Sequence, residues 1–268
     1  MVVLIALGVG VFWWLRDRGL TEPVPGQQRC VATANNRSTV VDLDQAHFAS
    51  IIAGVSVRRG LPPRAASIAI ATAYQETGIR NLDHGDSDSV GLFQQRPSRG
   101  WGTKQQVMDP YYATGKFYDA LVKIDGWETG DINDVAQQVQ RSGYPEAYRD
   151  HEADARVLAS ALTGQSPAGF SCLDRSGTPG DVKALRSSLQ RTFGKVDYSA
   201  EGSVITIRAR GEKRAWAYAH YAVANAKYYG VTTVKIRNRL WETQDLNLPD
   251  WQGATPSLKG ARIEITVR

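Results

Sequence analysis

Ala69–Pro97 reads AIATAYQETGIRNLDHGDSDSVGLFQQRP. Up to Thr77 the residues are small and apolar at helical spacing, with Ala66, Ile70, Ala73 and Tyr74 on one face, which predicts a helix from about Pro63 to about Thr77. From Gly78 to about Asp109 the composition turns to Gly, Asp, Ser, Gln and Pro. A loop of that length inside a compact domain is uncommon unless it carries function. Glu76 therefore stands at the C-terminal end of an apolar helix. There the negative pole of the helix dipole and burial beside Tyr74 both favour its protonated form. A carboxylic acid kept protonated near neutrality is what a general acid for a glycosidic oxygen requires.

Outward from this stretch the pattern stays helical. Leu43, Phe48, Ile51, Ile52 and Val55 form one face of a helix that starts at Asp42 and ends at Arg58-Arg59, Gly60 and Pro62-Pro63. Beyond the loop, Pro110–Lys123, Asp131–Ser142 and Ala147–Leu162 show the same period. Residues 163–180 (TGQSPAGFSCLDRSGTPG) read as a linker by composition. After it the period changes. A helix near Asp181–Phe193 is followed by a strand at Ser203–Ala209, a helix at Glu212–Tyr229, a strand at Thr232–Arg239 and a last strand at Ala261–Val267, a small α+β unit with an antiparallel or mixed sheet.

The N-terminal residues 1–15 (MVVLIALGVGVFWWL) carry no charge and end in an aromatic pair before Arg16-Asp17-Arg18, which predicts a membrane segment. It falls short of the roughly 20 residues a bilayer needs and lacks a small-residue cleavage site, so a signal-anchor fits better than a cleaved signal. Arg16 and Arg18 place the following chain in the cytoplasm by the positive-inside rule, against the exported location inferred below. The conflict is resolved if Met1 lies within a longer apolar helix whose upstream residues supply the missing length and cytoplasmic charge. Residues 16–41, polar and with Pro23, Pro25 and Gly26, read as a tether.

Hydrophobic residues make up 42% of the 268 and charged residues 22%, ordinary for folded protein and against global disorder. Residues 181–268 hold 15 Lys+Arg against 8 Asp+Glu, a net +7, whereas the rest of the chain holds 17 against 19. Such an asymmetry suits an anionic envelope polymer as partner of the C-terminal unit; a solvated basic face is the plainer reading, and no nucleic-acid partner is expected. Cys30 and Cys172, the only cysteines, flank the helical region in polar stretches. We expect them to pair, which implies an oxidising, exported compartment.

The spacing of Glu76-Thr77 and Gly91-Leu92-Phe93-Gln94 resembles that of the goose-type lysozyme and soluble lytic transglycosylase superfamily, whose signature is a helix ending in Glu-Ser, a polar loop, and Gly-Leu-Met-Gln. Asp109-Pro110 with Gly115 and Leu121 is similar to another family segment, and Ala136–Gly143 occupies the place of its Ala-Tyr-Asn-Ala-Gly motif, with Gln140 and Arg141 where Tyr and Asn are expected. Secreted Gram-positive envelope proteins carrying Gln-Glu-Ser/Thr and Gly-Leu-Phe-Gln-Gln-Arg-Pro-Ser are the nearest in motif. The resemblance covers about residues 42–162. It implies a mainly α, lysozyme-like domain there, followed by the small α+β domain at 181–268. It implies peptidoglycan as substrate, Glu76 as the catalytic residue, and Thr77, Gly91, Gln94, Gln95, Gln140 and Tyr144 as substrate-binding.

Two routes are open to such a site. A lone Glu acting as acid and then base yields a 1,6-anhydro product, whereas a hydrolytic muramidase needs a second carboxylate to position water. Asp83, Asp86 and Asp88 are candidates for that role, although Asp, Ser and Gly in such a run are first of all turn formers. A third reading is a non-catalytic glycan-binding or scaffold protein of an envelope secretion or conjugation apparatus. Trp101, Tyr111, Tyr112, Tyr144 and Tyr148 are candidates to stack on sugars. His47, His84, His151 and His220 are scattered, and counting twelve loop positions from Asp83 or Asp86 reaches Gln94 or Pro97 rather than a Glu. The sequence therefore calls for no metal and no cofactor.

Overall fold

The computed structural model describes residues 26–140 and 146–268. The expected membrane segment, the first part of the tether, and Arg141 and Tyr144 lie outside the described residues. Among the described residues no helix is long and apolar enough to cross a membrane.

The helices around Glu76 form where caps and breakers place them. Helix α1 (Leu43–Arg58) is opened by Asp42, whose carboxylate accepts from the Asp44 and Gln45 backbone N–H groups while the Gln45 side chain accepts from the Asp42 N–H. Helix α2 (Pro63–Thr77) starts with proline at its first turn, where a missing N–H costs nothing. Its residues Ala65–Ala73 are all buried, so the helix runs through the centre of the molecule and only its last turn returns to the surface. Short α3 (Lys104–Val107), then α4 (Pro110–Leu121), α5 (Ile132–Gln140) and α6 (Glu152–Leu162), complete the helical part. The expected helix at 147–162 begins later, after a 3-10 turn at Arg149–His151.

A mainly α fold for this region is corrected by the structure, which is mixed, with about 43% helix and 20% strand and two antiparallel sheets of three and six strands. The stretches read as tether and linker contribute the smaller sheet. Strands β1 (Arg29–Ala34) and β2 (Arg37–Val41) form a hairpin through Asn35 and Asn36, which adopt φ of 49° and 60°. Asparagine tolerates this left-handed region better than most residues. Strand β3 (Phe170–Leu173) pairs with β1 on its other edge, in register Cys30 to Cys172. The expected disulfide is present there, joining residues 142 apart, and it closes the helical region into one loop.

Beyond β3 come α7 (Val182–Phe193), β4 (Asp197–Glu201), β5 (Val204–Arg208), α8 (Glu212–Ala224), α9 (Ala226–Tyr229), β6 (Val231–Ile236), β7 (Arg239–Glu242), β8 (Gln252–Gly253) and β9 (Arg262–Val267). The sheet is antiparallel throughout, in the order β4-β5-β9-β6-β7-β8. The segment expected as one strand at 232–239 is the first arm of a hairpin that turns at Arg237, whose φ is 51°. Ile205, Ile207, Ile263, Ile265, Val234 and Ile236 are buried on one face, while Thr206, Glu264 and Lys235 pair across the open face. Helix α8 lies between that buried face and α1, and it is buried along ten consecutive positions, Ala215–Ala224. The apolar residues on both sides of 163–180 belong to one continuous cluster, from Cys30 to Val267. Gly54 in α1 admits this contact, since a Cβ there would stand 2.2 Å from Thr192 and 3.0 Å from Phe193.

Candidate active site

Glu76 owes its place to an abrupt end of α2. Gly78 takes a left-handed φ of 63°, and Ile79 takes 57° directly after it. The Gly78 and Ile79 N–H groups bond back to Tyr74 and Ala73 at 2.8 and 2.9 Å, satisfying the last helical carbonyls. A β-branched residue in that conformation costs about 1–3 kcal/mol, offset here by complete burial of the Ile79 side chain. Glu76 is left half-buried two residues before this stop.

The two halves of the motif are tied together physically. The Thr77 hydroxyl lies 2.9 Å from the Ala73 carbonyl and 3.0 Å from that of Leu92, and it accepts from the Arg80 N–H at 3.1 Å. Gly91 is required where it stands. Its φ is 79°, and a Cβ would lie 2.6 Å from the Val107 carbonyl oxygen. Gln94, at φ 47°, donates its amide to the His84 and Gly91 carbonyls. Gln95 is 2% exposed and donates to the Ala113 carbonyl at 3.2 Å. Thr77, Gly91 and Gln94, expected to hold substrate, are thus also the residues that give the long loop its shape.

The Glu76 carboxylate is anchored through one oxygen. Tyr148, fully buried, donates its hydroxyl to Oε1 at 2.7 Å, and the Gln140 amide donates to the same oxygen at 3.2 Å and to the Phe93 carbonyl at 2.7 Å. Oε2 has no hydrogen-bond partner among the described residues. Gln140 thereby links α5, the Gly91–Gln94 turn and Glu76. Tyr148 was legible in sequence only as one of several aromatics; nothing in its spacing marks it as a partner of the acid.

Two of the three loop aspartates have carboxylates engaged elsewhere, and Asp86 is exposed. Asp83 bonds the His84 ring at 2.8 Å, which holds its carboxyl below the ordinary carboxylate range. The Asp86 carbonyl closes a turn with the Ser89 N–H. Asp88 accepts from the Ser98 N–H and hydroxyl and from Arg96, and these bonds lower its carboxyl to about 2. None shares a hydrogen bond with Glu76.

On the far side of Gln140 opens a cavity of about 840 Å³, lined by glutamines, Trp101, Ile124 and three cations, Arg96, Arg99 and Lys123. Glu76 does not itself line it, and Gln140 connects the two. Sequence reasoning did not single out these cations, because Lys123 lies on a different segment from Arg96 and Arg99.

No family model matches the chain, and no curated protein matches it.

Proposed function

We propose that the protein cleaves the β-1,4 linkage between N-acetylmuramic acid and N-acetylglucosamine in peptidoglycan, as a lytic transglycosylase with Glu76 as its single acid and base. The observation that carries this reading is Glu76 itself. Its carboxylate is oriented by Tyr148 and Gln140, its second oxygen has no hydrogen-bond partner among the described residues, and Gln140 links it to a cavity large enough for sugar units. Glu76 protonates the glycosidic oxygen as the C1–O bond breaks, and the N-acetylglucosamine unit leaves with a free 4-hydroxyl. The resulting carboxylate then takes the proton of the muramyl C6 hydroxyl while O6 bonds to C1, giving the 1,6-anhydro product.

The local engagement of the Asp83 and Asp88 carboxylates supports this route over hydrolysis, which needs a second carboxylate free to position water, and leaves Asp86 as the remaining candidate for that role. The disulfide supports a location outside the cytoplasm. The net +7 of residues 181–268 supports an anionic envelope polymer as a further partner. Mass spectrometry of muropeptides released from purified sacculi tests the proposal. Anhydro ends are expected; reducing ends alone would replace it with a hydrolytic muramidase, and no release with a non-catalytic scaffold.

A further inference from the structure

Outside the Glu76 site, a cavity of about 420 Å³ opens at one end of the six-stranded sheet. Strand pairing builds it. Arg208, the last residue of β5, stands directly opposite Arg262, the first of β9, so both side chains leave the same face with Cβ atoms about 5 Å apart. The pairing continues one step, with the Ala209 N–H bonding the Ala261 carbonyl at 2.9 Å, and these small residues form part of the wall. The chain between β8 and β9 is held against the β6–β7 turn by the Leu258 N–H, which bonds the Arg237 carbonyl at 2.9 Å. Ser257 and Lys259, both exposed, join the lining from there. Like charges directly opposite each other destabilise a sheet, and here the fold supplies no counter-charge. Arg208, Lys259 and Arg262 form no ion pair among the described residues, and no Asp or Glu among them lines the cavity. Asp197 is in register with Arg208, and Glu264 follows Arg262 on the same face, yet neither pairs with them. Glu212 is engaged by Arg237 at 3.1 Å. Two residues along from Arg208, Arg210 lines a further cavity with Lys213 and Arg214. The positive charge of this unit is thus gathered at one end of its sheet.

We propose that Arg208 and Arg262, with Lys259, form an oxyanion site that takes a phosphodiester group and selects phosphate over carboxylate. The inference rests on the anionic partner named above and assigns both its binding site and its charged group; cleavage at Glu76 does not enter it. A carboxylate is planar and is completed by the fork of one guanidinium. A tetrahedral phosphate presents oxygens in more than one plane and accepts one fork from each strand. Lys259 adds a point charge and Ser257 a hydroxyl donor. Net charge alone would draw phosphate and carboxylate chains alike, so the preference between them is what the cross-strand arginine pair contributes.

The full chain is titrated at about 0.05 M salt with three probes: a glycerol phosphate oligomer, a polyglutamate of equal charge, and vesicles of phosphatidylglycerol. We expect the phosphate chain to bind about tenfold more tightly than the carboxylate chain. Arg208→Glu with Arg262→Glu should weaken the phosphate chain by about tenfold to a hundredfold. Arg208→Lys with Arg262→Lys keeps the charge and should lose the preference, because an ammonium has no fork. Lys183→Glu with Lys195→Glu is the control. Both lysines are exposed in the same unit and line neither cavity, so the net charge changes equally while binding weakens by about twofold at most. Circular dichroism establishes that each variant is folded. Equal affinity for the two chains, equal losses from the two charge reversals, or a preference kept by the lysine pair overturns the site while an anionic partner stands. Tighter binding to vesicles than to the phosphate chain makes the ligand a lipid and also overturns it. Binding of neither chain by folded protein removes the site and the anionic partner together, and cleavage at Glu76 then stands on its own test.

Discussion

In the proposed mechanism activity turns on Glu76, and its chemistry sets the size of the expected effect. Glu76→Gln keeps the shape and the bond from Tyr148 but removes the transferable proton, so glycan release should fall by about 10²–10⁴-fold or more while the melting temperature is unchanged. Unaltered release by this variant would remove the mechanism. Tyr148→Phe acts through Glu76, loosening the carboxylate without removing the proton donor. Turnover should fall by about tenfold to a hundredfold, the worth of one hydrogen bond to a charged group, with a distorted pH profile that a merely structural change would not produce. A different residue governs acid tolerance. Burial lowers the imidazole of His220 from the ordinary 6.5 to about 4, so the folded state keeps it neutral where the unfolded chain binds a proton. Stability present above the unfolded value is therefore lost as pH falls through that window, by about 3 kcal/mol. His220→Gln should flatten the fall of melting temperature between about pH 7 and about pH 4.5; a slope as steep as wild type would show that another group is responsible.

At the level of elements, caps and breakers were legible and long-range pairing was not. Asp42 and Pro63 announced α1 and α2 within a residue of where they begin, and the apolar face of α4 was equally plain. Strands β1, β2 and β3 were hidden because Arg37, Ser38 and Thr39 read as polar tether, and β1 finds its second partner only at Phe170–Leu173, far along the chain. Strand β4, Asp197–Glu201, is a polar edge whose sequence carries no alternation of apolar residues. In the candidate site, Glu76 and the Gly91–Gln94 turn were readable from spacing, whereas Tyr148 reaches Glu76, and Lys123 joins Arg96 and Arg99, only in three dimensions. Helix packing supplies a prediction of its own. Gly54 lets α7 approach α1, and a Cβ at that position would clash with Thr192, which is fully buried and unable to swing into solvent. Gly54→Ala should therefore destabilise by about 1–3 kcal/mol in denaturant titration despite the better helix propensity of alanine. A stabilised variant would mean that the two helices separate at little cost.

Across the whole molecule, the sequence pattern suggested two units joined by a linker, each with its own core, yet the buried contacts cross that linker repeatedly. Trp241 donates to the Ser171 hydroxyl at 3.0 Å and Trp251 to the Phe170 carbonyl at 2.8 Å, so the C-terminal sheet holds β3, and β3 is disulfide-linked to β1. On the other side of α8, Asn225 bonds Ser50 at 3.0 Å and the His47 ring at 2.6 Å, and Tyr228 donates to Asp44 at 2.7 Å. Ala217, Ala219, Tyr221 and Val223 are at most 1% exposed only because α1, α6 and the sheet surround them. Cutting the chain near residue 175 would open this face to water on both fragments and leave buried hydrogen-bonding groups unpaired, costs larger than the few kcal/mol by which such domains are stable. Residues 26–268 should therefore unfold in a single transition, with tryptophan fluorescence and far-ultraviolet circular dichroism coinciding along the denaturant axis. Reduction of Cys30–Cys172 should lower the midpoint by an amount equivalent to about 2–5 kcal/mol without splitting the transition. Two separated transitions, or a folded fragment of residues 181–268 alone, would show that the shared core is a docking surface between independent units.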